Sequence, residues 1–129
     1  IIGYMEITYV PKTPHHVKGV INLRGQVIPV IDLRAKFGLD ETDITDQTCI
    51  IVVEIENNGA QLSTGIVVDR VEEVLDISQN EIDQAPEFGT KVDTDFILGM
   101  GKIGDAVKIL LDIDKVLNYQ EISEFSNEF

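Results

Sequence analysis

The sequence predicts an all-β fold, and three observations predict it. Residues 17–34, VKGVINLRGQVIPVIDLR, place aliphatic and β-branched side chains on both sides of a Gly-bearing turn, the composition of a hairpin. Residues 48–56 and 61–70 are two further apolar runs joined at Asn57-Asn58-Gly59-Ala60, a second hairpin signal. The third observation is an echo: Val30 to Phe37 resembles Leu110 to Leu117, each an apolar strand ending in Asp–aliphatic before a helical stretch. An offset of 80 residues (112 minus 32) is too long for a solenoid repeat. It points to two similar units, and one larger β-sandwich fits the echo equally well.

The elements follow in order. Ile7 to Val10 is extended into Pro11, and residues 12–16 form a Pro-bounded loop. Strands flank Arg24-Gly25. Pro29 predicts that the second of them is an edge strand or a bulged one, since proline has no N–H for a ladder. Residues 34–39 allow a short helical turn stopped near Gly38, and residues 40–47, acidic and aperiodic, form a loop. After the second hairpin, residues 71–77 continue as a short strand. Ser78 caps a turn over residues 79–83, with Glu81 at the capping-box position. Residues 85–91 are a loop, and residues 96–100 and 106–113 are strands around a Gly-rich turn. A terminal helix begins near Asp114, with Val116, Leu117, Ile122 and Phe125 as a loose apolar stripe. No linker divides the chain, so residues 1–129 read as one domain.

Composition narrows the function. At 129 residues and 43% hydrophobic content the chain can bury a real core. No apolar run approaches the roughly 20 residues of a membrane span, so direct membrane insertion is not expected. The lone Cys49 cannot form an internal disulfide, which fits a reducing cytoplasm. The net charge of −13 argues against nucleic acid and anionic lipid, because phosphate binding needs clustered cations. That charge is uneven: residues 1–36 carry +3 and the remainder −16. Solubility accounts for the acidic excess. The basic excess surrounds Arg24.

No catalytic pattern stands up. Gly99-Met100-Gly101-Lys102-Ile103-Gly104 satisfies G-x-G-x-x-G, but a strand-like run follows where a dinucleotide fold needs a helix. Asp112 and Asp114 lack the further oxygen ligands a hard cation takes, and capping of the terminal helix explains them better. His15-His16 has no nearby thiol or third imidazole for zinc. Cys49 sits in a strand with no local cation to activate its thiol, and a small buried hydrophobe is its default. Ser63-Thr64-Gly65 lacks the aspartate of an aspartic protease. The sequence therefore predicts no enzyme, no metal and no cofactor.

Arg24 is the exception to this blandness. An arginine on a turn with apolar flanks suits a protein partner, since arginine is over-represented at interface hot spots. An ordinary solvated turn residue is the competing reading. The segment VINLRGQVIPVIDLR also resembles the signature of the CheW-like family, adaptors that couple chemoreceptors to the histidine kinase CheA in bacterial chemotaxis. Similarity continues through Thr64 to Leu75, TGIVVDRVEEVL, and through Leu98 to Leu117, LGMGKIGDAVKILLDIDKVL, so it covers essentially the whole chain.

The resemblance implies two small five-stranded barrels of the SH3-like type, packed together, with short helical turns and a C-terminal helix. It implies a cytoplasmic adaptor whose partners are chemoreceptors and CheA. By position it assigns Arg24, Gly19, Gly25, Val27 and Val74 to receptor binding, and Thr48, Cys49 and Ile50 to a strand near the kinase-binding face. Core packing is the alternative for both valines, because strand faces depend on register. The family begins with about two more strands ending in an acidic residue. This sequence opens at IIGYMEITYVP, the segment placed just after that acid, so those strands and the acid paired with the Arg24 position are absent from it. A CheW-like domain cut from a CheA- or CheV-type protein is the near alternative. A nucleotide-dependent enzyme using Gly99 to Gly104 is the remote one.

Overall fold

A computed structural model describes residues 1–57, 59–84 and 96–117. Among these, two compact units are present, Ile1–Glu73 and residues 74–117. Strands dominate both. The first unit holds β1 (Ile2–Gly3), β2 (Val17–Leu23), β3 (Gln26–Asp32), α1 (Leu33–Lys36), β4 (Cys49–Asn57) and β5 (Ala60–Val68). The second holds β6 (Ile82–Asp83), β7 (Ile97–Ile103), β8 (Ala106–Leu111) and α2 (Ile113–Val116).

The first sheet runs β1-β4-β5-β3-β2. A short segment closes it. Gly3 pairs with Cys49 at one edge, and five residues later Thr8 and Val20 exchange two 2.9 Å backbone bonds at the other. One stretch of chain thus touches both edges, and the sheet curls into a small barrel with few open edges. Inside lie Ile21, Ile28, Val30 and Ile50, with Ile2, Tyr4, Met5, Ile7, Leu23, Val52 and Val67 packed against them. Each fully buried aliphatic contributes roughly 1.5–3 kcal/mol.

Thr64 on β5 is a buried polar residue whose side-chain oxygen has no hydrogen-bond partner among the described residues. Leaving such a group unpaired costs about 1–3 kcal/mol. Thr64→Val is expected to raise stability by about 1 kcal/mol, read as a higher urea midpoint at unchanged slope. An unchanged or lower midpoint would contradict this account of the site.

The short helical turn expected over residues 34–39 forms as α1 and stops at Gly38. Asp32 Oδ1 accepts from the Arg34 N–H at 3.0 Å and caps α1. At the other end Gly38 (φ 73°) donates to Ala35 O at 3.1 Å and Leu39 to Arg34 O at 2.8 Å, a Schellman stop.

Pro29 is a correction. β3 is an interior strand, flanked by β2 and β5. Val20 directs its N–H and C=O at Thr8, so the opposed Pro29 faces away from β2. The parallel ladder with β5 begins only at Val30, so no ladder bond misses the proline N–H. The bulge lies in the partner strand β2, between Val17 and Gly19.

Residues 71–77 are a second correction, forming no strand. Residues 72–76 are exposed, and β propensity needs a neighbouring strand and a face to bury. At Ser78 the hydroxyl reaches Glu81 Oε1 (2.7 Å) and Asn80 Oδ1 rather than a backbone N–H, and a 3₁₀ turn forms over Gln79–Glu81. Asp112 sits at the cap of α2, but its side chain makes no capping bond. The predicted loop at 85–91, with Ile122 and Phe125 of the apolar stripe, lies outside the described residues.

The echo is larger than the sequence suggested. The second sheet, β6-β7-β8, has three strands among the described residues. Its β7–β8 hairpin repeats β2–β3 at an offset of 80: bulges at Val17/Gly19 and Ile97/Gly99, two-residue turns, then α1 and α2 behind Asp32 and Asp112. Even the cross-pairing repeats, Thr8 against Val20 and Asp83 against Met100.

Candidate functional site: the Arg24 hairpin

Leu23 pairs with Gln26, leaving Arg24-Gly25 as a two-residue turn. Both residues have positive φ, 53° and 84°, the type I′ geometry that matches strand twist. Glycine adopts it freely, whereas arginine there costs about 1–2 kcal/mol. Asn22 Oδ1 accepts from the Gly25 N–H at 2.9 Å and fastens the turn. A strained, exposed cation held at a rigid tip is a feature that recurs at binding sites.

Alternation decides the faces nearby. Ile21 and Ile28 point into the barrel, so Asn22 and Val27 point out, and Val27 is 54% exposed. Val27 is therefore not a core residue. Val74 is 79% exposed and opens the second unit, so it is not a core residue either. Gly25 is at the tip, while Gly19 is buried near the far end of β2. A Cβ on Gly19 would stand 2.0 Å from Thr8 O, so the close approach it permits is within the chain.

Thr48, Cys49 and Ile50 lead into β4 with alternating faces. Thr48 and Ile50 are buried, and Cys49, a free thiol, is half-exposed. Cys49 lines an open depression with Gln47, Arg70, Val71 and Glu72.

A second polar cluster escaped the sequence reading. β3 and β5 run parallel, with Asp32 opposite Val67. Two residues past that pair, in α1 and just after β5, come Arg34 and Asp69. Arg34 Nε lies 3.2 and 3.1 Å from the two Asp69 oxygens, and Nη2 lies 2.9 Å from Oδ2. Arg34 Nη1 also donates to Asp40 O at 3.3 Å, and Thr42 Oγ1 donates to Asp69 Oδ1 at 3.1 Å. The hydrogen bond from Arg34 holds the Asp69 carboxyl below its ordinary range, against a smaller opposing effect of burial. The same bond raises Arg34. Because the folded pKa of Asp69 is depressed, its contribution is present above the ordinary carboxylate range. It is lost as pH falls through the folded value.

The G-x-G-x-x-G run lies in β7 and its turn, and strand β8 follows where a nucleotide site needs a helix. Its glycines have local reasons. A Cβ on Gly99 would be 2.8 Å from Asp83 O, Gly101 packs under Leu110, and Gly104 takes φ 60° in the turn.

The CheW-like domain profile matches residues 1–121. The chain belongs to the CheW-like family. It is 39% identical to chemotaxis protein CheW of Klebsiella aerogenes over 127 residues, 98% of this chain and 74% of that protein. It is 36% identical to CheW of Thermotoga maritima over 127 residues, 96% of this chain and 78% of that protein. Among solved structures it is similar to the scaffolding protein CheW of Thermoanaerobacter tengcongensis. That likeness has a TM-score of 0.75 and 37% identity over 91% of this chain and 74% of the other. The CheW-like fold is all-β with two SH3-like barrels, and its role is that of a chemotaxis adaptor. Relatives bearing the CheW name do not favour a domain of CheA or CheV type. Among the described residues no helix is long and apolar enough to cross a membrane.

Proposed function

We propose that the domain bridges the cytoplasmic tips of chemoreceptors and the regulatory domain of the histidine kinase CheA, in the cytoplasm and without chemistry of its own. The observation that carries this reading is Arg24, an exposed cation on a strained, side-chain-fastened tip within a segment that resembles the family signature. Arg24 contacts the receptor, and Val27 and Val74 each offer it an exposed apolar side chain. Gly25 lets the tip turn, and Gly19 acts indirectly by closing the barrel beneath the hairpin. The kinase meets the strand entry at Thr48, Cys49 and Ile50. Thr48 and Ile50 shape that face from beneath, and Cys49 borders it.

The physical logic is linkage. An adaptor that binds one receptor state better transmits that preference to the kinase, a coupling of typically ~1–3 kcal/mol. Repeated contacts with the kinase's homologous domain build arrays, and tethering lets individually weak interfaces suffice. Separate titrations with a receptor tip fragment and with the kinase regulatory domain test the assignment. Arg24→Glu is expected to weaken the first strongly and leave the second intact. Equal receptor binding by wild type and variant would contradict it.

A further inference from the structure

Between α1 and β4 the chain crosses the first unit as a ten-residue strap, residues 38–47. Hydrophobic burial does not hold it, since Leu39 and Ile44 are 55% and 59% exposed. Polar contacts do. Arg34 grips Asp69 with two nitrogens while its third donates to the Asp40 carbonyl, and Thr42 donates to the same carboxylate. Lys18 stands between the barrel and the strap, 3.8 Å from Asp32 and 4.0 Å from Glu41. Beneath lies a cavity of about 30 Å³, no larger than a water site.

The strap passes its position directly to β4. Thr45 and Thr48 are bonded reciprocally: the Thr45 N–H donates to Thr48 Oγ1 at 2.9 Å, and the Thr48 N–H to Thr45 O at 3.2 Å. The Gln47 N–H donates to Thr45 Oγ1 at 3.1 Å. Asp69 anchors this arrangement one residue before Arg70, Val71 and Glu72. Those three residues complete the open depression beside Gln47 and Cys49. One ion pair therefore ties the strap leading to Gln47 to the residue just before Arg70, the two chain segments that border that depression.

We propose that Arg34 and Asp69 are positioning residues for kinase binding: their bidentate clamp fixes the strap, and with it the depression on which the kinase regulatory domain docks. This rests on the kinase-binding reading of residues 48–50 and adds the device that regulates that face. Exposed ion pairs ordinarily contribute little to stability, so the clamp's effect falls on local order rather than on global folding. Bidentate geometry is what lysine cannot reproduce.

Asp69→Asn, Arg34→Gln and the milder Arg34→Lys test the proposal on the intact domain. Three readouts separate the outcomes: hydrogen exchange of amides 39–47, affinity for the kinase regulatory domain, and affinity for a receptor tip fragment. The clamp variants are expected to exchange at least tenfold faster in the strap and to bind the kinase domain at least tenfold more weakly. Receptor affinity should stay within twofold, and Asp69→Glu should partly restore kinase binding. Unchanged strap exchange overturns the clamp. Faster exchange with unchanged kinase affinity overturns its coupling to docking. Wild-type domain that fails to bind the kinase overturns the reading on which this rests, while the exchange result still decides the clamp.

Discussion

Arg24→Glu is expected to reduce receptor affinity at least tenfold with no loss of folding stability. The guanidinium is exposed at a two-residue turn, so no packing is lost when it is replaced. A hot-spot arginine contributes about 2 kcal/mol or more to an interface, and charge reversal adds repulsion to that loss. Arg24→Gly separates charge from shape. Glycine carries no steric cost at φ 53°, so the relief of about 1–2 kcal/mol is offset by a more flexible unfolded chain. Its urea midpoint should equal or slightly exceed that of the wild type, yet its receptor affinity should fall with that of the glutamate variant. A glycine variant that binds normally would mean the turn matters only for its shape.

Gly19→Ala carries the largest expected effect on folding. The added methyl would meet Thr8 O at 2.0 Å and its carbonyl carbon at 2.7 Å, at φ 145° where side chains are already strained. Both obstacles are backbone and cannot rotate away. Relief requires Thr8 to leave Val20, which undoes the bridge that closes the barrel. A loss of about 3 kcal/mol or more is expected in urea unfolding, at the upper end for one substitution. Gly99→Ala, at the corresponding bulge, should cost less, because the nearest backbone atom there is 2.8 Å away. A Gly19→Ala protein within 1 kcal/mol of wild type would show that the closure is dispensable.

Local chemistry explains what the sequence disclosed. Arg24-Gly25, the helical stop at Gly38, and the two hairpins all follow from residues within a few positions of one another, where turn preferences act. Longer-range features did not follow. Pro29 looked like an edge residue because nothing in the chain shows that β3 finds a parallel partner in β5 beginning one residue later. Val71 to Ile77 carried strand-forming residues but met no neighbouring strand, and propensity alone did not order it. The Arg34–Asp69 pair spans 35 residues and becomes visible only once the β3–β5 register is known. Both residues stood inside the similar segments, but nothing in the sequence marked the ends of β3 and β5 as neighbours. The faces of Val27, Thr48 and Ile50 likewise depended on register, which fixes every side chain's direction at once.

The central claim is that one domain holds two proteins at once through different faces. Sedimentation velocity on the wild-type domain mixed with a receptor tip fragment and the kinase regulatory domain measures this most directly. A three-component boundary should form, heavier than either binary mixture, and Arg24→Glu should reduce it to the kinase complex alone. Two binary boundaries that compete and never combine would contradict the account.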